Sequence, residues 1–369
     1  MNKISAMIIL TLFLIVQTVG LSACENAENI RSDDRTSVQS LNSTINNPEE
    51  GNASVHGHIY FGSYPQKDVT EDMGDRLAIF AGELPTDEND NAWTSYGYYM
   101  NGNIDKDYMW YKDVDLNGDG INDYRGVYFT DYRPDWTEDS RSMEYQMRNE
   151  YYPNVVYWFE FEPVKWEILD IEDGKAIIFA KRILDSQDYN HVYVQYSVDG
   201  SPIYGNNYQF SSVRAWLNDT FYNTAFNETE KLLTEVVEVV NTEISTMDDG
   251  VMFVFYSDYV CENTYDRVFL LSAQEVTKSK YGFENHVYSP DTARQKTASD
   301  YAKIQSACAF GDDYGYWWLR TPSEEKTKVK GDSAMFVHPN SKANNFSRVN
   351  CTPCGIVPAL KIALPVDVA

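Results

Sequence analysis

Val155-Val156-Tyr157-Trp158-Phe159-Glu160-Phe161-Glu162, Val164-Lys165-Trp166-Glu167-Ile168-Leu169-Asp170-Ile171 and Lys175-Ala176-Ile177-Ile178-Phe179-Ala180 follow one another with little between them. Each run is rich in β-branched and aromatic residues, which favour a pleated, half-buried backbone. Glu172-Asp173-Gly174 separates the last two, and an Asp-Gly pair between two such runs reads as a tight hairpin turn. The runs therefore predict an antiparallel core. On its C-terminal side the period changes. Val213, Trp216, Leu217, Phe221, Ala225 and Phe226 recur at helical spacing behind Ser211 or Ser212 as N-cap. A second helix is expected over Glu228 to Val237, opening on an acidic first turn. Strand patterns return at Val268 to Ser272, Tyr316 to Pro322, Ser333 to Val337 and Gly355 to Ala363. Ala273 to Val276 reads as a helical turn. With no regular βαβ alternation and no repeat at a solenoid or propeller period, the fold class expected is α+β.

On the N-terminal side, His58-Ile59-Tyr60-Phe61-Gly62-Ser63-Tyr64-Pro65-Gln66 predicts a short strand running into a turn at the proline. Between about 67 and 153 lies a polar, tyrosine-rich region that reads as an insertion. Its sharpest signal is Asp113-Val114-Asp115-Leu116-Asn117-Gly118-Asp119-Gly120-Ile121-Asn122-Asp123. Alternating short oxygen side chains with glycine at the bend suit a hard cation, because several oxygens must converge while the backbone turns sharply. An EF-hand register starting at Asp113 puts Tyr124 where the bidentate glutamate belongs, and Tyr124 to Phe129 reads as strand. Starting at Asp115, the stretch fits DxNxDGxxD and resembles the helix-free calcium loops of integrin-like extracellular repeats. In that register Asp115, Asn117 and Asp119 give side-chain oxygens, Ile121 its carbonyl and Asp123 the closing carboxylate to a Ca²⁺ ion. The competing reading is an acidic hairpin that solvates itself. Even with metal bound, the role expected is ordering the insertion.

The N-terminus carries Lys3, an apolar run from Ala6 to Val19, and Leu21-Ser22-Ala23-Cys24. The run is shorter than the ~20 apolar residues a permanent span needs, so residues 1–23 read as a signal peptide. Leu21-Ser22-Ala23-Cys24 resembles the lipobox of bacterial lipoproteins, which implies a diacylglyceryl group on Cys24 and export to the outer face of the membrane. Residues 24–56 are rich in Asn, Ser, Glu and Asp and read as a flexible spacer. The remainder, 57–366, has enough aromatic residues for one large extracellular domain. A net charge of −26 argues against nucleic acid as a partner, since phosphate binding needs basic patches. The partners expected are the membrane, through the lipid, and an extracellular glycan or protein ligand.

Phe61-Gly62-Ser63-Tyr64-Pro65-Gln66, Phe161 to Leu169, Ile183-Leu184-Asp185-Ser186, Ser212 to Asn218 and Phe221-Tyr222 with Ala225-Phe226 occur in order along the chain. Val268 to Ser272, Trp317 to Pro322 and Gly355 to Leu360 follow them. With these motifs, the region from about Ile59 to Leu364 resembles the bacterial family catalogued as domain of unknown function 6273 (DUF6273). That family usually has arginine where Val357 stands. Trp317-Trp318-Leu319-Arg320 with a closing strand also resembles the C-type-lectin-like fold, shared with formylglycine-generating enzymes and many bacterial surface ligand binders. The enzyme branch uses paired cysteines near the end of its domain. Cys351 and Cys354 lie in that part of the chain, but their spacing and neighbours do not match. The Trp-Asn-Asp signature of the sugar-binding branch is not seen.

Cys261, Cys308, Cys351 and Cys354 allow one or two disulfides in an exported protein, although Cys351-Thr352-Pro353-Cys354 reads first as structural or unpaired. Trp166, Trp216, Trp317 and Trp318 are candidates for a sugar-stacking platform, with core packing the more ordinary role. Arg214 and Arg320 could bind a carboxylate ligand or pair with buried acids. No nucleophile elbow, zincin, Walker or dinucleotide motif occurs. The function expected is non-catalytic: a lipid-anchored surface protein with a calcium-stabilised, lectin-like domain binding a glycan, peptide or wall component. The alternative is an extracellular enzyme, either a carboxylate-dependent hydrolase or an oxidase like the formylglycine-generating enzymes.

Overall fold

The computed structural model describes residues 54–86, 88–97, 108–134, 144–249, 257–311, 313–324 and 326–364. The expected signal segment, Cys24 and most of the spacer lie outside them.

The strand-rich centre of the sequence forms one long strand, β5 (Val156–Glu172), turning back into β6 (Lys175–Ala180). Pro163 does not divide it. Asp173 and Gly174 both have positive φ, 52° and 70°, the conformation a two-residue hairpin needs to match the twist of its strands. β1 (His58–Asp68) runs antiparallel along one edge of β5, from Glu167 to Phe159. On the other edge β4 (Tyr124–Phe129) pairs with the first half of β5 and β6 with the second. The expected turn at Pro65 is absent. β1 continues past it, with a register shift between Pro65 and Lys67 that absorbs the missing N–H.

The region expected as an insertion is built into the same sheet. β4, β3 (Met109–Val114) and β2 (Thr94–Ser95) follow one another outward from β5, while strand Ala359–Ala363 extends the sheet beyond β6. Strands Thr234–Glu235 and Val268–Phe269 complete this nine-stranded sheet. Helix Thr70–Ala81 lays Leu77 and Ala81 against Trp93, Trp110, Tyr128 and Trp158, giving the β3/β4 end its own apolar core. At roughly 1.5–3 kcal/mol for each large side chain buried, this cluster ties the segment firmly to the sheet. A second sheet of five strands runs Asn345–Arg348, Ser333–Val337, Trp317–Pro322, Gly355–Ile356, Asp185–Ser186. All its pairings are antiparallel except Trp317–Pro322 with Gly355–Ile356. The result is a mixed α+β fold of mostly antiparallel sheets and few helices.

The helix predicted from Ser211 forms as a continuous run, with Ser211 Oγ accepting from Arg214 N. It contains a π-helical segment, Leu217–Phe221. The helix expected over Glu228 to Val237 is wrong beyond its first turn: it ends at Lys231, and Thr234–Glu235 pairs with strand Ala359–Ala363. Asn227 and Glu230 form a capping box that fixes its start. Tertiary pairing takes the β-branched residues that follow.

Candidate functional site

A cavity of about 190 Å³ lies where β1 to β4 meet the strand Asp185–Ser186 and the helix from Ser212. Tyr64 comes from β1, Tyr111 from β3 and Arg125 from β4. Asp185, Asp188, His191, Trp216 and Tyr301 come from the second half of the chain. Tyr301 is positioned by a helix, Asp300–Ile304, whose N-cap Ser299 accepts from Ala302 N. Trp216 stands immediately before the π-helical segment, the sort of local widening often found at functional sites.

Two buried ionic groups dominate the floor. The Arg125 guanidinium grips Asp113 with both Nε (2.6 Å) and Nη2 (2.7 Å), donates Nη1 to Tyr301 Oη at 3.1 Å, and lies 4.2 Å above the Tyr111 ring. Burial works against its charge, and the Asp113 carboxylate outweighs burial, so Arg125 stays ionised. Tyr301 Oη also bonds Tyr96 Oη at 2.8 Å. Opposite, Asp185 Oδ2 accepts from Tyr64 Oη at 2.6 Å, and Oδ1 accepts from Ser186 N and Gln187 Nε2. Burial outweighs those donors and holds the Asp185 carboxyl above its ordinary range. Burial likewise raises Tyr64, keeping its hydroxyl a donor.

Asp188 is different. It is 1% exposed, its Oδ2 lies 3.1 Å from His191 Nδ1, and its Oδ1 has no hydrogen-bond partner. The backbone N–H of His191 donates to Ser212 Oγ, whose hydroxyl donates to Asn190 Oδ1. None of Arg125, Asp185, Asp188 or His191 was singled out in the sequence as a site residue. Only the family-like motif Ile183 to Ser186 stood near them.

The residues read as a calcium loop form the turn between β3 and β4. Asp115 Oδ1 accepts from Gly118 N and Oδ2 from Gly120 N, both at 2.7 Å. Asn117 Oδ1 accepts from Asp119 N, and Asp119 Oδ1 from Ile121 N. Asp123 Oδ2 accepts from Leu116 N at 2.7 Å, bringing the last carboxylate back over the first residues. The donor set, oxygen only, suits a hard cation. The carboxylates here are turned to the loop's own N–H groups, and among the described residues no group of three or more His, Cys, Asp or Glu is arranged to hold an ion. Asp113, committed to Arg125, cannot open an EF-hand register.

The remaining candidates are structural. Trp166, Trp317 and Trp318 are fully buried, each indole N–H bonded to a backbone carbonyl, so the stacking-platform reading fails for them. Arg214 pairs with Asp266 at 2.7 Å and Arg320 with Glu275. Val357 is fully buried and brings no charge to its position. None of the four described cysteines, Cys261, Cys308, Cys351 and Cys354, is in a disulfide. Cys354 Sγ lies 3.8 Å from Cys351 Sγ, and burial pushes the Cys354 thiol well above the usual range, away from the thiolate that cysteine chemistry requires.

Compared with known proteins, residues 173–364 match the family described as Domain of unknown function (DUF6273). No curated protein and no solved structure matches the chain. The matched stretch contains Asp185, Asp188, His191, Trp216 and Tyr301, whereas Tyr64, Tyr96, Tyr111 and Arg125 lie before it.

Proposed function

This chain belongs to the DUF6273 family, whose function must be read from the site itself, and we propose that it is a non-catalytic, lipid-anchored surface protein binding an extracellular ligand in this cavity. The observation that carries the reading is the pairing in the cavity of a satisfied Asp185 with an unsatisfied Asp188. A glycoside hydrolase needs one carboxyl group free to give and regain a proton and a second free to act as base or nucleophile. Asp185 accepts from Tyr64, Ser186 N and Gln187, which occupies both of its oxygens. One available carboxylate, an aromatic wall at Tyr96, Tyr111 and Trp216, and many hydroxyls describe recognition of a small polar ligand.

The volume is below the ~300–1,000 Å³ of pockets for drug-sized ligands, so it suits one ring or one terminal group of a glycan, peptide or wall component. Curled antiparallel sheets with a Trp317–Pro322 strand at their heart support a C-type-lectin-like arrangement, with the β3/β4 turn as its calcium loop. The lipid on Cys24 would hold the domain outside the cell.

A glycan and peptide array probed with the purified protein tests the binding reading. The expected result is a discrete set of hits lost by Trp216→Ala at unchanged melting temperature. Hits that survive this change would place the ligand elsewhere, and turnover of any hit would replace binding by catalysis. Cys24→Ala should release the protein from the membrane fraction into the medium; retention would remove the anchor.

A further inference from the structure

We infer, on the reading that this cavity is the ligand site, that its ligand presents a protonated amine to Asp188. The charged groups lining or touching the cavity are Asp113, Arg125, Asp185, Asp188 and His191, and behind Asp185 the buried Arg133 donates to the Ser186 and Gln305 carbonyls. Asp113 and Arg125 cancel in a bidentate pair, and the third arm of the guanidinium is spent on Tyr301. An anionic ligand therefore finds no uncommitted guanidinium in the wall.

Asp185 has donors on both oxygens, and Asp188 has a partner on only one. Its Oδ2 meets His191, while Oδ1 is buried without a hydrogen bond. A buried carboxylate oxygen left without a donor is unfavourable, and a charged donor gains roughly twice what a neutral one does. An ammonium group supplies both the missing hydrogen bond and the missing charge. A sugar hydroxyl supplies only the first.

The walls agree. Trp216 and Tyr96 are half-buried and line the cavity, and aromatic faces attract ammonium groups. The chain's net charge of −26 draws cations toward the surface before any contact is made. The same amine chemistry occurs on a de-acetylated amino sugar and on a peptide or amino-acid terminus, so the probes must separate the two.

The test is calorimetry on the full mature chain in detergent, with glucosamine against N-acetylglucosamine and glucose, and alanine amide against N-acetylalanine amide. At least one amine should bind about tenfold or more tightly than its acetylated twin, the difference expected for one charge-assisted hydrogen bond. Glucosamine alone would identify the amino sugar, and alanine amide alone the peptide terminus. Asp188→Asn, of the same shape, should lose that preference at an unchanged or higher melting temperature.

Equal or tighter binding of the neutral probes overturns the amine while leaving the cavity as the ligand site. Failure of every probe overturns it as well. Amine binding that survives both Asp188→Asn and Trp216→Ala overturns the cavity itself. A melting temperature that falls with Asp188→Asn by as much as binding does would mean a structural carboxylate only.

Discussion

Tyr64 Oη donates to Asp185 Oδ2 at 2.6 Å, joining β1 to a strand on the far side of the cavity. Both residues are 2% exposed, and the Tyr64 ring packs edge-on against Tyr301 at 5.6 Å. The bond sets the distance between the N-terminal segment and the family-matched half of the chain. Tyr64→Phe keeps the ring and removes the donor. Stability should fall by about 1–3 kcal/mol, the cost of leaving a buried acceptor short of a partner. Urea denaturation measures this, and ligand binding should weaken with it. A neutral result would show that Ser186 N and Gln187 suffice for Asp185.

Gly62 has φ +70° and faces the Phe226 ring, where an added Cβ would come within 2.6 Å of a ring carbon and 2.5 Å of the Ala225 carbonyl oxygen. Its N–H donates to Glu230 Oε1, whose other oxygen accepts from Asn227 N in the capping box. Gly62→Ala therefore combines a strained backbone with a clash in the core, and should cost about 3 kcal/mol or more. Thermal unfolding would show a drop of many degrees, whereas Gly200→Ala, in open space although also at positive φ, should cost distinctly less.

These two residues show what the sequence made legible. His58 to Phe61 marked a strand, because alternating burial writes itself into residue types, while Pro65 marked a turn that did not form; Asp173-Gly174 marked the β5/β6 hairpin through the positive φ such turns demand. The cavity was illegible. Its walls combine Tyr64 and Arg125, placed by pairing of β1 and β4 on opposite edges of β5, with Asp188 from a loop and Tyr301 from the helix Asp300–Ile304. No local spacing records that. The polar insertion misled for a related reason: its tyrosines and tryptophans serve a small core under helix Thr70–Ala81, which periodicity along one strand does not reveal. The short helix at Glu228 was overextended because the helical and strand preferences of Thr234 and Val237 are settled by the strands they pair with.

Lys296 should give the protein a pH dependence on the alkaline side. The ammonium is 1% exposed, 4.3 Å above the Phe179 ring and 3.9 Å from Glu167, and burial lowers it to about 7. In the unfolded chain it keeps its proton up to 10.5. Between those values the unfolded state binds more protons, so stability rises with pH, by about 2 kcal/mol from pH 7 to 9. Above pH 10 the buried tyrosines Tyr64, Tyr208 and Tyr301, all raised, reverse the slope. Lys296→Met should flatten the rise and stabilise the protein near neutrality, since Glu167 keeps Lys181 at 2.9 Å. A urea midpoint that falls between pH 7 and 9 in the parent protein would contradict this account.

The β3/β4 turn and the Arg125 pair share the Asp-rich stretch but should respond oppositely to mutation. Asp115 already binds Gly118 N and Gly120 N, first residue to sixth, which pre-shapes the turn around a cation. Filling it requires the Asp119 and Asp123 carboxylates to swing from their N–H partners, so weak affinity is expected, in the ~10⁻⁴–10⁻³ M class of extracellular modules. Calcium at a hundredfold excess over its dissociation constant should stabilise the domain by about 2.7 kcal/mol. Asp119→Ala should abolish that gain with little effect in chelator, because Asp119 is exposed and bonds only within the turn. Asp113→Ala should leave calcium binding intact but strand the buried Arg125 guanidinium, costing about 3–5 kcal/mol. Calorimetry with melting curves in calcium, magnesium and chelator separates the two. Calcium binding lost in Asp113→Ala but kept in Asp119→Ala would return the loop to the EF-hand register, and no binding in the parent protein would leave the turn as a self-solvating hairpin.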